Sequence, residues 1–313
     1  MGCSKSRPSV TPMAAATTQF LDGTARQWSP ENVLELADSL ERYHTIYLNH
    51  VHGILLAPLF VRLATNKTIV SLRLDGCLLN CDDIRLLIIA LRTNTTLNIL
   101  SLDHCNLQDE GVQLLSTTLD ANMSLRKLFL YDNNVGDAGA RALAKWIAKN
   151  KSLQVLDLSE NNISDDGMQA LAKVVRYNTT LEALWLSNNM FGAVGLDAFT
   201  NALAGNRSLR AYYAACNDFG DAAATRFARM LAHNPQLTAV SLARTNIGDE
   251  TAVALADSAA HLNLLDVSNN NITNQGGMAL QNMSHTACFV QGNRLSDALI
   301  WCDDVSFGRE TDI

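Results

Sequence analysis

Residues 153–178, LQVLDLSENNISDDGMQALAKVVRYN, decide the fold because their pattern recurs along the chain at a fixed interval. The pattern returns at residues 125–150 and 181–206, which are 28 positions away on either side. Its first apolar position falls at Ile69, Leu97, Leu125, Leu153, Leu181, Leu209 and Leu237. Its closing Asn falls at Asn66, Asn94, Asn122, Asn150, Asn178, Asn206 and Asn234. Two series in phase over seven members indicate an internal repeat.

Each repeat contains a strand signal followed by a helix signal. The spacing LxxLxL alternates and predicts a short strand with its leucines on one face. The spacing of Gly167, Leu171 and Val175 then predicts a helix. Neither element buries its apolar face alone, so the repeats must stack into a continuous core. Strands lie closer together than helices, so we expect the stack to curve with the sheet inside.

The strand pattern, the Asn161 that follows it and the 28-residue period resemble leucine-rich repeats of the ribonuclease-inhibitor type. The resemblance covers roughly residues 43–295. It implies an α/β fold, a leucine-rich-repeat solenoid shaped as a curved horseshoe. A parallel β-sheet would form its concave face and helices its convex face.

The resemblance and the flanking composition predict three regions. We expect residues 1–27 to be a flexible acylated tether and residues 28–295 to be the repeat domain, with about nine to ten repeats. A capping helix at 28–42 would open this domain, with Ser29 as N-cap and Pro30 at the first helical position. Residues 296–313 would form a C-terminal cap and tail, with Trp301 and Phe307 covering the open end and Thr311-Asp312-Ile313 fitting the pattern of a PDZ ligand.

The polar residues that recur in phase predict backbone roles. We expect the Asn after each strand to pair with backbone groups that leave the sheet; this series is Asn133, Asn161, Asn189, Asn217 and Asn270, with Cys77 and Cys105 in early repeats and Thr245 departing from it. The Asp before each helix is expected to cap that helix; this series is Asp109, Asp137, Asp165, Asp221 and Asp249. Ala193 interrupts the Asp series and predicts a weaker helix start there, and the closing Asn suits a left-handed helix end.

Composition excludes several classes of protein. The net charge of −7 argues against a nucleic-acid surface, and we see no Lys/Arg cluster in the sequence to contradict it. We find no run of 18 apolar residues and no signal peptide. Of the seven cysteines, Cys77, Cys105 and Cys216 sit at or next to the strand-end turn, one per repeat, which indicates a reducing compartment rather than a disulfide framework. The spacing of Cys77, Cys81 and His104 does not suit zinc. We therefore expect no metal and no cofactor.

The first ten residues, MGCSKSRPSV, carry an acylation pattern. Gly2 and Ser6 match the start of N-myristoylated proteins, and the adjacent Cys3 resembles the palmitoylation site of dually acylated proteins such as Src-family kinases and flagellar calcium-binding proteins of protists. Lys5 and Arg7 add positive charge beside anionic lipid. The resemblance implies a cytoplasmic protein held on the inner face of the plasma membrane or on a ciliary or flagellar membrane.

Aromatic residues gather at positions predicted to face the concave surface. Counted from the first apolar residue of each repeat, the fifth positions run Arg73, Ser101, Phe129, Asp157, Trp185, Tyr213, Ser241 and Asp266. The seventh positions run Asp75, Asp103, Tyr131, Ser159, Ser187, Ala215, Ala243 and Ser268. Aromatics make up only 6% of the chain, so four of them on neighbouring strands, with charge beside them, predict a hot spot for a protein partner. The predicted site is Phe129, Tyr131, Asp157, Trp185 and Tyr213.

Two other interpretations remain open at this stage. The aromatics could cover a concave surface that binds nothing specific. The repeat type also resembles that of activators of the nuclear-transport GTPase, which makes GTPase activation an alternative function. Because no known catalytic motif occurs, the main hypothesis is a monomeric, non-enzymatic scaffold or adaptor tethered to the membrane.

The acylation pattern predicts the behaviour of two variants. Gly2→Ala should move the protein to the soluble fraction, because it removes the first lipid and with it stable access to the second. Cys3→Ser should leave weak, reversible binding, since one myristoyl chain binds membranes with K of about 10⁴ M⁻¹. Cell fractionation measures both, and a Gly2→Ala protein that still pellets with membranes would contradict the lipid anchor.

Overall fold

The computed structural model describes residues 20–23, 28–51, 56–119, 122–283, 285–296 and 299. Within these residues eleven strands form one parallel sheet whose order follows the chain. The strands are β1 Phe20–Asp22, β2 Thr45–Tyr47, β3 Ser71–Arg73, β4 Ile99–Ser101, β5 Lys127–Phe129, β6 Val155–Asp157, β7 Ala183–Trp185, β8 Ala211–Tyr213, β9 Ala239–Ser241, β10 Leu264–Asp266 and β11 Ala287–Phe289. The sheet is open, which confirms the predicted leucine-rich-repeat solenoid.

A helix follows each of the first ten strands and returns the chain to the same end of the sheet. The helices are α1 Pro30–Asp38, α2 Ala57–Leu63, α3 Cys81–Thr93, α4 Gln108–Thr118, α5 Asp137–Lys149, α6 Asp165–Val175, α7 Ala193–Leu203, α8 Gly220–Leu231, α9 Asp249–Ser258 and α10 Asn274–Leu280. Each helix packs against the next one. Strands about 4.8 Å apart and helices about 8–10 Å apart require curvature with the sheet on the concave side.

The core lies between the sheet and the helices, as the apolar periodicity predicts. Leu125, Leu128 and Leu130 are fully buried, and so are Leu143 and Ile147 on the helix that follows. The same positions are buried in the neighbouring repeats, so the core is one continuous cluster along the solenoid. Inward-facing leucines therefore fix the strand register, and the residues between them point to the concave surface.

The sheet begins earlier than the sequence indicates. Strand β1 lies within the region 1–27 assigned to a tether, and Phe20 pairs in parallel with Thr45 of β2. Helix α1 starts as predicted, because the Ser29 hydroxyl accepts a hydrogen bond from the Asn32 N–H at 3.2 Å. Strand β1 and α1 thus form a first strand–helix unit rather than a lone capping helix. Gly2, Cys3, Trp301, Phe307 and the last three residues lie outside the described residues.

The Asn after each strand links its turn to the repeat before it. The Asn161 side-chain amide donates to the carbonyls of Leu130, Leu158 and Ser159 at 2.9–3.0 Å. Its oxygen accepts from the N–H groups of Asn133 and Val135 at 3.1 and 2.9 Å. Five hydrogen bonds therefore serve backbone groups that leave the sheet, which confirms the predicted role.

At three turns a Cys thiol or a Thr hydroxyl stands in place of this Asn and makes some of its hydrogen bonds. Cys77 Sγ donates to the Leu48 carbonyl and Cys105 Sγ to the Leu74 carbonyl, at 3.3 and 3.1 Å. Burial raises the pKa of Cys77 to about 11 and also raises that of Cys105. Thr245 Oγ1 donates to the carbonyl of Leu242 at 2.6 Å within its own repeat. The two early cysteines are therefore protonated turn residues with a structural task.

The closing Asn has a different geometry from the one expected. Asn94 has φ −72° and ψ 130°, so it is extended and not left-handed. Its side-chain oxygen accepts from the N–H groups of Thr96 and Leu97 at 2.9 and 2.8 Å, and its amide donates to the Leu63 carbonyl at 2.8 Å. The residue turns the chain from helix to strand by side-chain bonding, which explains why the amide is buried at all seven positions from Asn66 to Asn234.

The Asp series caps helices, but not the helices that carry it. Asp165 Oδ1 accepts from the N–H groups of Gly192 and Gly195, both at 2.8 Å, at the start of the next helix. A Cβ on Gly195 would lie 2.8 Å from this oxygen and 3.0 Å from the Phe191 Cβ, so glycine gives the carboxylate room at this position. Each carboxylate thus sits at the positive end of the neighbouring helix dipole.

The last Asp of the series shows how these bonds affect ionisation. Burial favours the neutral acid, but hydrogen bonds from the Thr273 hydroxyl and N–H and the Gly276 N–H outweigh it and lower the pKa of Asp249. Because the folded pKa is below the unfolded one of about 4, this carboxylate stabilises the fold at neutral pH. That contribution is lost as the pH falls through the folded pKa.

Ala193 interrupts the Asp series, and the missing carboxylate affects the start of the next helix rather than the helix predicted. Helix α7, which begins at Ala193, keeps its cap because Asp165 supplies it. Helix α8 follows the missing carboxylate and has no side-chain cap at Phe219. Ala223 of α8 is equivalent to Gly195 of α7. Because Ala193 replaces the Asp of the preceding repeat, no carboxylate at that position approaches Ala223, and its methyl group has room. The predicted weak helix start therefore belongs to α8.

The Asn series predicts a stability difference along the solenoid. Asn161→Ala should lower the free energy of unfolding more than Asn293→Ala, because unpaired buried groups cost about 1–3 kcal/mol each. Asn161 is buried, whereas Asn293 is half-buried near the end and bonds to Val267, Val290, Asn270 and Ile272. Urea unfolding measures both, and equal losses would argue against the role assigned to the buried turn.

Two neighbouring carboxylates test the inter-repeat cap. Asp165→Ala should cost about 1–2 kcal/mol, because it leaves two N–H groups of the next repeat without an acceptor. Asp166→Ala is the matched control, since its side chain is exposed in the same first turn. Its expected loss is below about 1 kcal/mol, from the helix dipole alone. If the two variants melt at the same temperature, Asp165 does not couple the repeats.

Candidate functional site

The strand register places the fifth positions in one column across the concave sheet. Phe129 lies beside Asp157, Asp157 beside Trp185, and Trp185 beside Tyr213, each on an adjacent strand. Buried residues on either side, which are leucines except for Tyr212 and Ala214 beside Tyr213, hold these residues on the concave face of the sheet. The sequence therefore brings four of the five predicted site residues into one line, and Tyr131 lies in the next column.

Three rings of this column form a contiguous aromatic row, namely Phe129, Trp185 and Tyr213. The rings of Phe129 and Trp185 stack at a centroid distance of 5.8 Å and an interplanar angle of 24°. Those of Trp185 and Tyr213 lie 6.0 Å apart at 41°. Such pairs contribute about 0.5–1.5 kcal/mol beyond area burial. The row is therefore ordered before any partner arrives.

Two predicted site residues are less exposed than the sequence suggested. Phe129 is 5% exposed and Asp157 is 3% exposed. The Phe129 and Trp185 rings lean towards each other across the intervening strand and cover Asp157 beneath them. Asp157 Oδ1 accepts from the Ser159 N–H at 2.8 Å. These two residues lie under the row, and the rings of Trp185 and Tyr213 are its more exposed part.

Trp185 and Tyr213 form a half-buried ridge, named here the concave ridge. Small residues flank it on both sides. Ala183 and Ala211 lie at the third position of their repeats, and Ser187 and Ala215 lie at the seventh. A partner can thus reach the sides of both rings. Large rings above a floor of small side chains are typical of a protein-binding hot spot.

The rim of the concave face carries carboxylates held by neighbouring repeats. Asp132 pairs with His104 Nδ1 at 2.7 Å, and Glu160 accepts a hydrogen bond from the Asn188 amide. All four have positive φ, between 50 and 57°, in the turn that follows the strand. The His104 ring also meets Tyr131 edge-on at 5.0 Å. Tyr131 therefore belongs to this rim more than to the aromatic row.

Sequence reasoning missed the N-terminal extension of the row. Arg73 Cζ lies 4.8 Å from the Tyr47 ring centroid and 5.9 Å from that of Phe129, and Phe20 meets Tyr47 edge-on at 4.9 Å. Tyr47 lies in β2 between the buried Ile46 and Leu48, but this repeat precedes the regular 28-residue series, which therefore did not reveal it. Phe20 has no preceding leucine pattern and gave no signal. Arg73 covers Phe129 from this side, which adds to its burial.

Within the described ranges, no three His, Cys, Asp or Glu side chains cluster as metal ligands. Among the same residues, no helix combines the length and apolarity needed to cross a bilayer. The concave face offers aromatic surface, hydroxyl groups and rim charge, which suit recognition of a folded partner or an extended peptide.

Comparison with known proteins supports the repeat assignment. Six stretches match a family model described as Leucine Rich repeat, at residues 93–116, 121–144, 149–172, 177–199, 233–256 and 258–280. A comparison with curated proteins returned no match. The chain therefore carries leucine-rich repeats, an architecture that suggests a protein–protein interaction scaffold.

Three solved structures are similar to this chain, and one of them has a TM-score above 0.5. Rad7, in its complex with Elc1 from yeast, is 16% identical with a TM-score of 0.55; the match covers 85% of this chain and 66% of that one. An internalin from Listeria monocytogenes is 17% identical with a TM-score of 0.48 and coverages of 89% and 94%. The actin-binding site 2 of leiomodin-1 is 17% identical with a TM-score of 0.37 and coverages of 42% and 75%. At these identities the Rad7 likeness supports the fold alone.

Proposed function

We propose that this chain is a non-enzymatic scaffold that binds a partner protein through its concave face while N-terminal lipids hold it on the cytoplasmic side of a membrane. The observation that carries the proposal is the concave ridge. Trp185 and Tyr213 remain half-buried on a sheet whose core is already filled by Leu184, Leu186 and Tyr212. The core between the sheet and the helices is therefore filled without the rings at these two positions.

The chemistry around the ridge favours protein over small-molecule recognition. Its floor of small residues is shallow and continuous across adjacent strands, and it ends at a rim of hydrogen-bonded polar side chains. Hot spots of interfaces have this arrangement, with aromatic anchors inside a polar ring that excludes water. The solved complex of Rad7 with Elc1 is an example of a similar fold with a protein partner.

The membrane part of the proposal depends on Gly2, Cys3 and the basic residues beside them. Two lipid chains provide a stable anchor where one does not. A tethered scaffold would concentrate its partner at the membrane surface. Fractionation of the Gly2→Ala variant tests this part independently of the ridge.

The ridge is tested by Trp185→Ala in a titration with the partner found by proximity labelling of the acylated protein. Binding should weaken at least about thirtyfold, because truncating a hot-spot ring costs at least about 2 kcal/mol. Because Trp185 stacks on two rings, we expect a melting temperature a few degrees lower rather than unchanged. A melting curve and the titration on one preparation separate the two effects.

Tyr177→Ala is the matched control, since Tyr177 is 75% exposed and lies just beyond α6, away from the sheet. It should leave partner affinity in solution unchanged. Unaltered binding by Trp185→Ala would move the interface away from the concave ridge. Stimulated GTP hydrolysis on a panel of small GTPases would contradict the non-enzymatic assignment and favour the GTPase-activating alternative.

A further inference from the structure

The convex surface of α5 and α6 carries a basic face formed by Arg141, Lys145, Lys149, Lys173 and Arg176. All five side chains are exposed. Arg141, Lys145 and Lys149 are four residues apart and share one side of α5. Lys173 occupies on α6 the position that Lys145 has on α5, and the two helices pack together.

The segments of α5 and α6 that carry this face contain no acidic residue, although the chain is acidic overall. Residues 138–151 and 167–178 contain no Asp or Glu, whereas the whole chain has a net charge of −7. Within the described part of the chain, Arg141, Lys145 and Lys173 form no ion pair. No Lys/Arg cluster is expected from the sequence, because these residues come together only when adjacent repeats stack.

Two shallow grooves on this surface share the same chemistry. One of about 450 Å³ lies between α4 and α5 and is lined by Gln113, Thr117 and basic residues of α5. Another of about 320 Å³ is lined by Lys173, Arg176 and Tyr177. Neither groove is lined by a carboxylate. A third groove of about 460 Å³, near α9, differs in that Asp249, Glu250 and Asp257 line it.

An exposed aromatic residue accompanies the charge. Tyr177 is 75% exposed, and the Arg176 guanidinium lies 5.7 Å from the centroid of its ring. Tyrosine is enriched where a bilayer meets water, because its ring is apolar and its hydroxyl is polar. Basic side chains with such a residue at their edge fit the headgroup layer of an anionic membrane.

The N-terminal segment is long enough to act together with this face. Nineteen residues precede Phe20, and at about 3.3–3.6 Å per residue they span at most about 65 Å. The distance from α1 to α5 is four helix spacings of about 8–10 Å each, or about 40 Å. Lipids on Gly2 and Cys3 could therefore enter the same membrane that the basic face contacts.

We propose that the basic face of α5 and α6 docks on the anionic headgroups of a lipid bilayer and orients the solenoid there. Helices then face the membrane, and the concave ridge on the opposite side stays open to its partner. The orienting role rests on the membrane tether of the proposed function, but the electrostatic contact does not need the lipids. The acidic remainder of the surface is repelled by the same headgroups, which favours this one orientation.

The test uses the full chain produced without acylation, mixed with vesicles of phosphatidylcholine alone or with added phosphatidylserine. Sedimentation should show binding only to the vesicles with phosphatidylserine, and added salt should weaken it because it screens exposed charges. The double variant Lys145→Glu/Lys173→Glu should partition at least about thirtyfold more weakly. Both side chains are exposed, so a melting curve should show that the variant folds normally.

The control Arg92→Glu/Arg229→Glu changes the net charge equally at exposed positions on α3 and α8. It should keep wild-type partitioning within about threefold, as expected for charges outside the contact. Equal binding to both vesicle types, or equal losses in the two double variants, would overturn the proposal. So would stronger binding to duplex DNA at equal phosphate concentration, or displacement by inorganic phosphate at constant ionic strength.

The vesicle assay is independent of the proposed function. Unacylated protein tests the basic face without the lipids, whereas Gly2→Ala fractionation tests the lipids. Partner affinity of Lys145→Glu/Lys173→Glu in solution should match the wild type, because the concave ridge is on the other side. Each hypothesis can therefore fail alone.

Discussion

Buried side chains that hydrogen-bond the backbone of a neighbouring repeat are the interaction on which this solenoid depends. Each turn leaves N–H and C=O groups without ladder partners inside the protein, where unpaired groups are costly. Asn161 reaches back to the repeat before it, whereas Asp165 reaches forward to the helix after it. A repeat that carries both residues is thereby fixed to both of its neighbours.

Because the internal bonds are supplied by buried residues, the two surfaces are released for other tasks. The concave sheet carries the aromatic row, and the convex helices carry the basic face. Neither group of side chains belongs to the hydrophobic core cluster between sheet and helices, and neither supplies the hydrogen bonds that pair the turn backbone. A scaffold that meets a membrane with its helices and a partner with its sheet is consistent with both placements.

The period and the alternation of leucines were enough to predict the solenoid, its strand positions and the role of Asn161. Residues that bond to another repeat were harder to predict. The 28-residue spacing gives a residue's place within its own repeat but does not say which neighbouring repeat its side chain contacts. The Asp series was assigned to its own helix for this reason. Phe129 and Asp157 were expected on the surface because side chains leaning across strands cannot be inferred from alternation. Strand β1 lacks the leucine pattern, and the basic face forms only when α5 and α6 pack together.

Native-state hydrogen exchange over a range of urea concentrations tests the central claim most directly. The N–H groups of Val135 and Ile163 lie in turns and donate to the amide oxygens of Asn161 and Asn189, one repeat later. If these side chains hold the stack together, both N–H groups should exchange only with the cooperative unfolding of the strands beside them, with the same urea dependence. Rapid exchange at Val135 and Ile163 without urea dependence would contradict the account.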